Sequence, residues 1–445
     1  MPACLSIIFK LFIMKVSELY ELFKQCTSVT TDSRNCPEGS MFFALKGESF
    51  NGNAFAGKAL EAGSRYAVID EKEYAKEDDG RLILVDNCLE MLQKLANYHR
   101  RTLGTKIIGI TGTNGKTTTK ELISAVLGEK YNVLYTLGNL NNHIGVPRTL
   151  LRLTAAHDIA VVEMGANHPG EIATLVNIVE PDCGIITNVG KAHLEGFGSF
   201  EGVINTKGEL YDYLRKKGGT VFIDGGNEHL AKISGGLHLI KYGIGSGMGY
   251  SIEGEVVSCA PFLKFRWRAD NGDFNETQTN LIGSYNIYNM LAAACIGRHF
   301  GVDDTHISHA LSSYKPENNR SQLDVTPYNK LIVDTYNANP TSMNAALENF
   351  RDMQAEPKMA ILGDMRELGA SSMEEHQKVV DFLKDNNITN VWLVGSEFAK
   401  TECAFRKFKD VEEVKAEIAL RRPEGYYILI KGSNGTRLFQ LPALL

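Results

Sequence analysis

The stretch from Lys106 to Lys120, KIIGITGTNGKTTTK, constrains the fold of this chain more than any other. An isoleucine-rich apolar run is typical of a buried strand, and a glycine-bracketed turn follows it directly. After the turn, residues 117–127 place apolar side chains on one face of a helix. A strand, a glycine loop, Gly-Lys-Thr and a helix in this order predict a P-loop, whose backbone N–H groups and helix N-terminus face phosphates.

The predicted loop assigns separate tasks to two side chains. Lys116 should reach the terminal phosphates of a nucleotide, and Thr117 can bind magnesium. The spacing is unusual because only two residues separate Gly112 from Gly115, where four are usual, and an ordinary strand-to-helix turn is the alternative. The residues predicted to bind the nucleotide here are Gly112, Thr113, Asn114, Gly115, Lys116, Thr117 and Thr118.

Length, charge and cysteine content exclude several classes of protein. A chain of 445 residues should form about three domains. A net charge of −6 and a pI near 6.0 argue against a nucleic-acid partner, since nucleic-acid-binding surfaces are normally basic. The eight cysteines include no Cys-x-x-Cys pair, which favours free thiols in a reducing compartment over a zinc site or disulfides.

The first residues are apolar but too short to cross a bilayer, and they lack a signal-peptide cleavage site. We hypothesise that translation starts at Met14, ahead of a helix capped by Ser17. N-terminal sequencing of the native protein that found earlier residues would contradict this. With no other hydrophobic stretch near membrane length, we expect a cytoplasmic protein without membrane insertion.

Residues 14–103 form the first predicted unit, a small α/β domain of short strands and helices. Two of its segments, 30–34 and 47–53, are more polar than turns require. Asp32, Ser33 and Arg34 could contact a ligand, although a solvated turn is the simpler interpretation. Nothing here indicates catalysis, so a binding role is expected.

Residues 104–313 form the second predicted unit, built around the P-loop. Asn139, Asn141 and Asn142 offer donors and acceptors to a polar ligand, or form a simple asparagine-rich loop. Glu163 ends a buried strand, where a P-loop sheet holds magnesium; exposure at the strand end is the alternative. His193 follows a further strand at the same expected sheet edge.

Two helices of this unit carry polar residues at informative spacing. Lys207 lies within an apolar stripe on the helix predicted at 199–214. The pattern alone favours a lysine that extends its amine to water, and the alternative is a partly buried lysine that reacts or is modified. Asn286 and Asn289 share one helical face, which suits a nucleobase edge, although asparagines at helix starts are often caps.

Residues 314–445 form the third predicted unit, in which four apolar strands alternate with helices and predict a Rossmann-like parallel sheet. No Gly-x-Gly-x-x-Gly accompanies these strands, so a dinucleotide is not expected. Polar residues crowd the strand ends instead, among them Asp334, Tyr336 and Asn337.

Five motifs in their order resemble the Mur ligase family of peptidoglycan precursor synthesis. They are TGTNGKTT (111–118), GNLNN (138–142), EMGAN (163–167), AHLEGFG (192–198) and YNANP (336–340). The resemblance extends from Met14 to the C-terminus, and EMGAN with YNANP is specific for the branch that adds D-alanyl-D-alanine to UDP-N-acetylmuramoyl-tripeptide. It implies three domains: a UDP-substrate domain, a central ATPase and a Rossmann-like ligase domain.

The resemblance also implies roles for individual residues. Thr117, Glu163 and His193 would bind magnesium, with two ions expected, and Lys207 would be a carbamylated metal ligand. Asn286 and Asn289 would hold adenine, while Arg320 and Asp334 reach ATP from the third unit. The substrate-binding residues would be Asp32, Ser33, Arg34, Asn139, Asn141, Asn142, Tyr336 and Asn337, and the catalytic residues Lys116, His193, Lys207 and Arg320.

Two positions depart from the family pattern, and three rival functions stay open. Asn319 replaces a common glycine before Arg320, and Val333 replaces an acidic residue before Asp334. A sibling or folylpolyglutamate-type ligase would add a single amino acid through the same P-loop. A kinase would release a stable phosphorylated product, and a nucleotide sensor would not need Glu163, His193 or Lys207. We expect a monomeric ligase.

Overall fold

The computed structural model describes residues 14–75, 79–270, 272–316, 320 and 322–445. Its strands form sheets of four, nine and six strands in succession along the chain, with a separate two-stranded hairpin. The predicted α/β fold class with three successive sheets is confirmed. The hypothesis on residues 1–13 and the departure at Asn319 lie outside the described residues.

The first sheet lies near the start of the described chain. Its elements are α1 (Val16–Phe23), β1 (Val29–Thr30), β2 (Met41–Phe43), β3 (Lys46–Gly47), β4 (Phe50–Asn51), α2 (Ala56–Glu61), β5 (Tyr66–Ile69), β6 (Leu82–Leu84) and α3 (Cys88–Leu103). The sheet has the order β1-β2-β5-β6 with parallel pairs throughout, and β3 and β4 form the hairpin.

The cap of α1 differs from the prediction. Lys15 occupies the N-cap position, and its backbone N–H donates to Glu18 Oε2 at 2.9 Å. Ser17 lies inside the helix, so its predicted role as the cap is wrong. The reason is that Glu18, at the third helical position, satisfies the backbone donor that opens the turn.

The central sheet contains the P-loop. Its elements are β7 (Lys106–Thr111), α4 (Lys116–Gly128), β8 (Val133–Tyr135), α5 (Gly145–Leu150), β9 (Ile159–Glu163), α6 (Glu171–Val179), β10 (Cys183–Ile186), α7 (Leu194–Phe197), α8 (Phe200–Lys217), β11 (Thr220–Asp224), α9 (Glu228–Ile233), β12 (His238–Ile244), β13 (Ile252–Cys259), β14 (Phe262–Ala269), β15 (Asn275–Ile282), α10 (Ile287–His299) and α11 (Asp304–Ser313). The order is β15-β14-β13-β12-β11-β10-β7-β9-β8.

The pairs along the run β13-β12-β11-β10-β7-β9-β8 are all parallel, whereas β14 and β15 add an antiparallel edge to β13. The sequence prediction includes β7, β9 and β10 but not β11 to β15. The sequence does contain a signal for β14, because the apolar residues Leu263, Phe265 and Trp267 alternate with charged residues. All three apolar side chains are fully buried in the structure.

Helix α3 joins the first and central sheets into one core. It packs against α1 on one side and against α5 and α6 on the other. The apolar cluster around it is continuous from Leu19 to Leu230. Arg100 reinforces the contact by donating to Glu180 O at 2.8 Å.

The third sheet follows α11. Its elements are β16 (Gln322–Val325), β17 (Lys330–Asp334), α12 (Pro340–Asp352), β18 (Lys358–Gly363), α13 (Ser372–Asp385), β19 (Val391–Val394), α14 (Ser396–Ala399), β20 (Arg406–Phe408), α15 (Val411–Leu420) and β21 (Tyr427–Lys431). The order is β16-β17-β21-β18-β19-β20, and only β16 is antiparallel to its neighbour. The four predicted parallel strands are present, and β16 and β20 are additional.

Polar residues of the central sheet lie together at one of its edges. The P-loop follows β7, Glu163 ends β9, and the His193 segment follows β10, so all three lie at the carboxyl edge of one parallel sheet. Ligands of open α/β sheets bind at this edge. Within the described residues, no helix is both long and apolar enough to cross a membrane.

Candidate active site

The P-loop turn depends on two glycines with positive φ. Gly112 has φ +143°, and a Cβ there would lie 2.1 Å from Thr187 Oγ1 and 3.0 Å from the Thr187 backbone N. Gly115 has φ +76°, and a Cβ there would lie 2.8 Å from Asn289 Oδ1. A side chain at either position would meet its neighbour in a conformation that L-residues rarely adopt. The short spacing between the two glycines therefore forms a tight loop.

The segment after β10 holds this loop in place. Asn114 N donates to Asn188 Oδ1 at 3.0 Å, and Asn114 O accepts from Thr187 Oγ1 at 2.7 Å and from Asn188 Nδ2 at 3.0 Å. From the start of α12, Asn339 Nδ2 donates to Asn114 Oδ1 at 2.8 Å. The loop is thus attached to two parts of the chain.

Lys116 points back over the loop. Its amine donates to Gly112 O at 2.8 Å and to Thr113 O at 3.0 Å. The enclosing protein lowers the pKa of this amine, the charge of Arg320 lowers it further, and the carboxylate of Glu163 counteracts both. An ammonium held over a glycine loop is suited to neutralise a phosphate.

Glu163 is buried, with 1% of its surface exposed, so the alternative of an exposed glutamate at the strand end is wrong. Its Oε2 accepts from Thr117 Oγ1 at 2.9 Å, and its Oε1 accepts from Asn141 Nδ2 at 2.8 Å. Its backbone N donates to Thr136 Oγ1 at 3.0 Å. Carboxylate and hydroxyl oxygens are ligand types that Mg²⁺ accepts, so Thr117 and Glu163 fit a magnesium site.

Lys207 does not extend to water. Its side chain is 2% exposed, its amine donates to Ala166 O at 3.2 Å, and it lies 5.2 Å from the centre of the Phe197 ring. Burial, together with the smaller effect of the Lys116 charge, lowers the pKa of Lys207 to about 7. The interpretation favoured by the helical pattern is therefore wrong, because α6, α7 and the segment at Ala166 cover this face of α8.

His193 precedes α7 with φ +51° and contacts the third part of the chain. Its Nδ1 is hydrogen-bonded to the carboxylate of Glu367. Burial lowers the pKa of His193, and Glu367 counteracts this. Among the described residues, no group of three or more His, Cys, Asp or Glu side chains is arranged to hold a metal ion. The predicted set of metal ligands contains only two residues of these types, Glu163 and His193, and its other two members are Thr117 and Lys207.

Asn286 and Asn289 lie together, as their spacing predicts. Asn289 Nδ2 donates to Asn286 Oδ1 at 2.8 Å, and Asn286 Nδ2 donates to Ile282 O at 2.8 Å. Thr119 Oγ1 donates to Asn289 Oδ1 at 3.0 Å, which connects α10 to the P-loop helix. Neither side chain caps α10, so the alternative of simple helix caps does not hold.

The third part of the chain contributes charges to the same region. The Arg320 guanidinium lies 3.8 Å from the centre of the Tyr336 ring. The buried amine of Lys431 pairs with Asp334 Oδ2 at 2.5 Å. Val333 is fully buried in β17, so the departure at that position removes no side chain from the site.

One cleft of about 980 Å³ unites most of the predicted residues. The predicted residues that line it are Thr113, Asn114, Gly115, Lys116, Thr118, Asn139, Asn141, Asn142, Glu163, His193, Asn286, Asn289, Arg320, Asp334, Tyr336 and Asn337. Gly112, Thr117 and Lys207 lie behind this lining and contact it. The cleft therefore combines cations, one buried carboxylate and many amides.

Asp32, Ser33 and Arg34 do not line the cleft. Arg34 forms a two-point ion pair with Asp32, at 2.9 Å for both hydrogen bonds, and the hydrogen bonds from Arg34 lower the pKa of Asp32 to about 2. Both side chains are exposed in the first part of the chain. Their predicted contact with substrate stays a prediction.

Several residues of the site were not predicted. Thr187 and Asn188 hold the P-loop, and an asparagine after a buried strand is the signal that could have indicated them. Glu367 contacts His193 from a distant segment, and no local pattern reveals such a pair. Lys120 is buried beneath the site. It belongs to the stretch from Lys106 to Lys120, but the sequence pattern of that stretch does not indicate that its last lysine is buried.

Comparison with known families identifies the chain. Residues 110–297 match the Mur ligase middle domain, residues 320–434 match the Mur ligase glutamate ligase domain, and residues 25–100 match the Mur ligase family catalytic domain. The chain belongs to the Mur ligase family. The resemblance inferred from the five motifs is confirmed.

Individual members of the family match along almost the whole chain. A UDP-N-acetylmuramoyl-tripeptide–D-alanyl-D-alanine ligase of Bacillus subtilis is 34% identical over 424 residues, which is 93% of this chain and 92% of the relative. The crystal structure of MurF from Acinetobacter baumannii has a TM-score of 0.85 at 28% identity and covers 96% and 98% of the two chains. MurF of Thermotoga maritima in complex with ADP has a TM-score of 0.83 at 26% identity, with 97% and 98% covered.

Proposed function

We propose that this Mur ligase joins D-alanyl-D-alanine to UDP-N-acetylmuramoyl-tripeptide by an ATP-dependent amide bond. The observation that carries the proposal is the match of 93% of the chain to a relative that bears this activity in its name. Together with the P-loop cleft, it favours this reaction over a sibling ligase that adds a single amino acid. A solved relative holds ADP, which supports ATP as the nucleotide.

The chemistry needs an activated acid, because an amine does not displace oxygen from a carboxylate in water. The γ-phosphoryl group of ATP is transferred to the terminal carboxylate of the tripeptide, giving ADP and an acyl phosphate. The amine of D-alanyl-D-alanine attacks the acyl carbon, the C–O bond to phosphate breaks, and the ammonium proton is lost. The products are the amide, ADP and inorganic phosphate, so the protein's task is to position reactants and neutralise charge.

The cations of the cleft carry out this neutralisation. Lys116 would leave the carbonyls of Gly112 and Thr113 and bind the terminal phosphates. Arg320 would reach the same phosphates from the third part of the chain, with its plane held against Tyr336. Asp334 would contact the nucleotide beside it.

Thr117, Glu163 and His193 are the residues that would hold magnesium, with two ions expected. The bound metal would neutralise the phosphoryl oxygens during transfer. Thr117 and Glu163 already share a hydrogen bond of 2.9 Å, so their oxygens lie within reach of one ion.

Lys207 would join this set after modification. A neutral amine can add carbon dioxide and lose a proton to give a carbamate, which is an anionic oxygen ligand. The pKa of about 7 makes the neutral amine abundant at physiological pH. The side chain is buried and donates to Ala166 O, three residues after Glu163, which supports a role of Lys207 at the proposed metal site.

The remaining predicted residues would bind the substrates. Asn286 and Asn289 would hold adenine, and Tyr336 and Asn337 would contact the peptide from the third part of the chain. The muramoyl-peptide would contact Asn139, Asn141, Asn142, Asp32, Ser33 and Arg34. The position of Asn139, Asn141 and Asn142 in the lining of the cleft supports this contact.

The proposed domains are 14–103 for the UDP-substrate, 104–313 for ATP and 314–445 for ligation. The chain would work as a monomer in the cytoplasm, where ATP and the nucleotide-linked precursor are available. Gel filtration with light scattering would test the oligomeric state.

The deciding experiment measures phosphate release from ATP with UDP-N-acetylmuramoyl-tripeptide. Phosphate should appear with D-alanyl-D-alanine, together with an amide product detected by mass spectrometry. D-alanine, L-lysine and L-glutamate should not replace the dipeptide. Phosphate release that ignores the dipeptide, or faster amide formation with a single amino acid, would refute the proposal and favour a sibling ligase.

A further inference from the structure

Lys120 is a buried lysine for which the proposed reaction has no direct use. It lies one helical turn after Lys116 on α4, and 1% of its surface is exposed. Burial lowers the pKa of its amine, and the carboxylates of Glu163 and Glu121 counteract this. Removing an ammonium from water is costly, and an apolar side chain of similar size often serves a purely structural position at least as well. A functional reason for this amine is therefore worth testing.

The amine of Lys120 is hydrogen-bonded to the residue that follows β8. Its amine donates to Thr136 O at 2.7 Å and lies 3.6 Å from Glu121 Oε1. It also lies 5.6 Å from the centre of the Tyr135 ring, which belongs to β8. The amine thus attaches the P-loop helix to the carboxyl end of β8.

Thr136 in turn holds Glu163. The Glu163 backbone N donates to Thr136 Oγ1 at 3.0 Å, and Thr136 N donates to Val161 O at 3.1 Å. Thr136 is fully buried, so it lies between the Lys120 amine and the end of β9 without contact with solvent. A displacement of Thr136 would therefore move the backbone of Glu163.

The same residue opens the asparagine loop. Asn141, five residues after Thr136, donates to Glu163 Oε1 at 2.8 Å, while Thr117 donates to Oε2 from α4. The Glu163 carboxylate thus depends on both the loop after β8 and the P-loop helix. Lys120 is the side chain that connects these two elements through Thr136 O.

We propose that Lys120 is a positioning residue, which acts through Thr136 to hold the Glu163 carboxylate and the asparagine loop in the geometry that binds the metal–nucleotide complex. The inference rests on the proposed role of Glu163 in magnesium binding. Outer contacts of this kind typically change metal affinity about 10- to 100-fold when removed.

The test measures ADP binding by calorimetry with and without Mg²⁺, so it does not depend on turnover. Lys120→Met should bind ADP alone within about twofold of the wild type, because Lys116 and the loop are intact. It should lose about tenfold or more of the tightening that Mg²⁺ gives the wild-type protein. Ser124→Ala is the matched control, since Ser124 is a buried polar residue one turn further along α4 whose hydroxyl donates to Lys120 O at 2.7 Å.

A second pair of variants tests the route through Thr136. Thr136→Val removes the hydroxyl that accepts from Glu163 N and should weaken the Mg²⁺ effect, whereas Thr136→Ser keeps the hydroxyl and should preserve it. In Lys120→Met/Thr136→Val, the combined loss should be smaller than the product of the single losses, because both act on one contact chain. This pair also provides the answer should Lys120→Met fail to fold.

The outcomes separate the inference from the function on which it rests. If Mg²⁺ does not tighten ADP binding to the wild-type protein, the proposed metal site fails. Mg²⁺ could instead tighten ADP binding to Lys120→Met and Thr136→Val as strongly as it does for the wild type, with only the melting temperatures changed. Lys120 would then be structural, and the inference would be overturned. Independent, fully multiplicative losses would also overturn it.

Discussion

The buried amine of Lys207 should make folding depend on pH in a definite direction. Burial lowers its pKa from 10.5 to about 7, so between these values the unfolded chain binds a proton that the folded chain does not. Stability therefore rises as the pH increases from about 7 towards 10.5. Below pH 7 the full penalty of burying this amine is present.

The structure gives the size of the effect. Each tenfold change in proton affinity corresponds to about 1.4 kcal/mol, so the penalty is about 4 kcal/mol at pH 7, where half of the folded amines are protonated, and about 2 kcal/mol at pH 9. Lys207→Met keeps an unbranched chain but loses the bond to Ala166 O, which contributes about 1 kcal/mol. The variant should therefore be more stable than wild type by about 3 kcal/mol at pH 7 and about 1 kcal/mol at pH 9.

Urea unfolding between pH 6.5 and pH 9.5 measures this difference. The chain has two tryptophans, and in a Trp392→Phe background the fluorescence of the fully buried Trp267 reports on the central sheet. Buffers should be free of carbon dioxide, because a carbamate would replace the amine. Lys216→Met, at an exposed position on the same helix, is the control and should show little change.

Two results would refute this reasoning. A stability difference between Lys207→Met and wild type that does not change with pH would mean that the amine keeps an ordinary pKa. A variant that is less stable than wild type at pH 7 would mean that the amine is charged and paired in the folded protein.

Three further substitutions test the site. Lys116→Ala should abolish ligation, by at least about a hundredfold in rate, in the coupled phosphate assay; substantial residual activity would contradict its role. Gly112→Ala should weaken ADP binding at least about tenfold in calorimetry, because its Cβ would lie 2.1 Å from Thr187 Oγ1 at φ +143°; unchanged affinity with an unchanged circular dichroism spectrum would mean that the loop adapts. Lys207→Ala should be inactive and partly restored by acetate, which supplies the missing carboxylate; wild-type turnover without acetate would show that no carbamate is needed.

The P-loop was predictable because its pattern is local. The apolar run, the glycines and Gly-Lys-Thr are adjacent in sequence, and their spacing fixes strand, turn and helix without reference to the rest of the chain. Glu163 was predictable for a related reason, since a carboxylate at the end of an apolar strand lies at a sheet edge wherever that strand pairs.

The helical pattern around Lys207 shows the limit of such reasoning. Periodicity places Lys207 on the apolar face of α8 but does not say what covers that face. Only the packing of α6 and α7 shows that the amine has no path to water. The contact between Glu367 and His193 has the same origin, because it joins segments 174 residues apart.

By itself, the sequence determined a P-loop in a three-part α/β chain, the set of polar residues at strand ends and the family. Local order along the chain contains this information. The tertiary structure alone decided that Glu163 and Lys207 are buried, that Asn114 meets Asn339, and that Lys120 reaches Thr136. These facts depend on which surfaces pack together, and burial, more than residue type, determines the charge and position of each group.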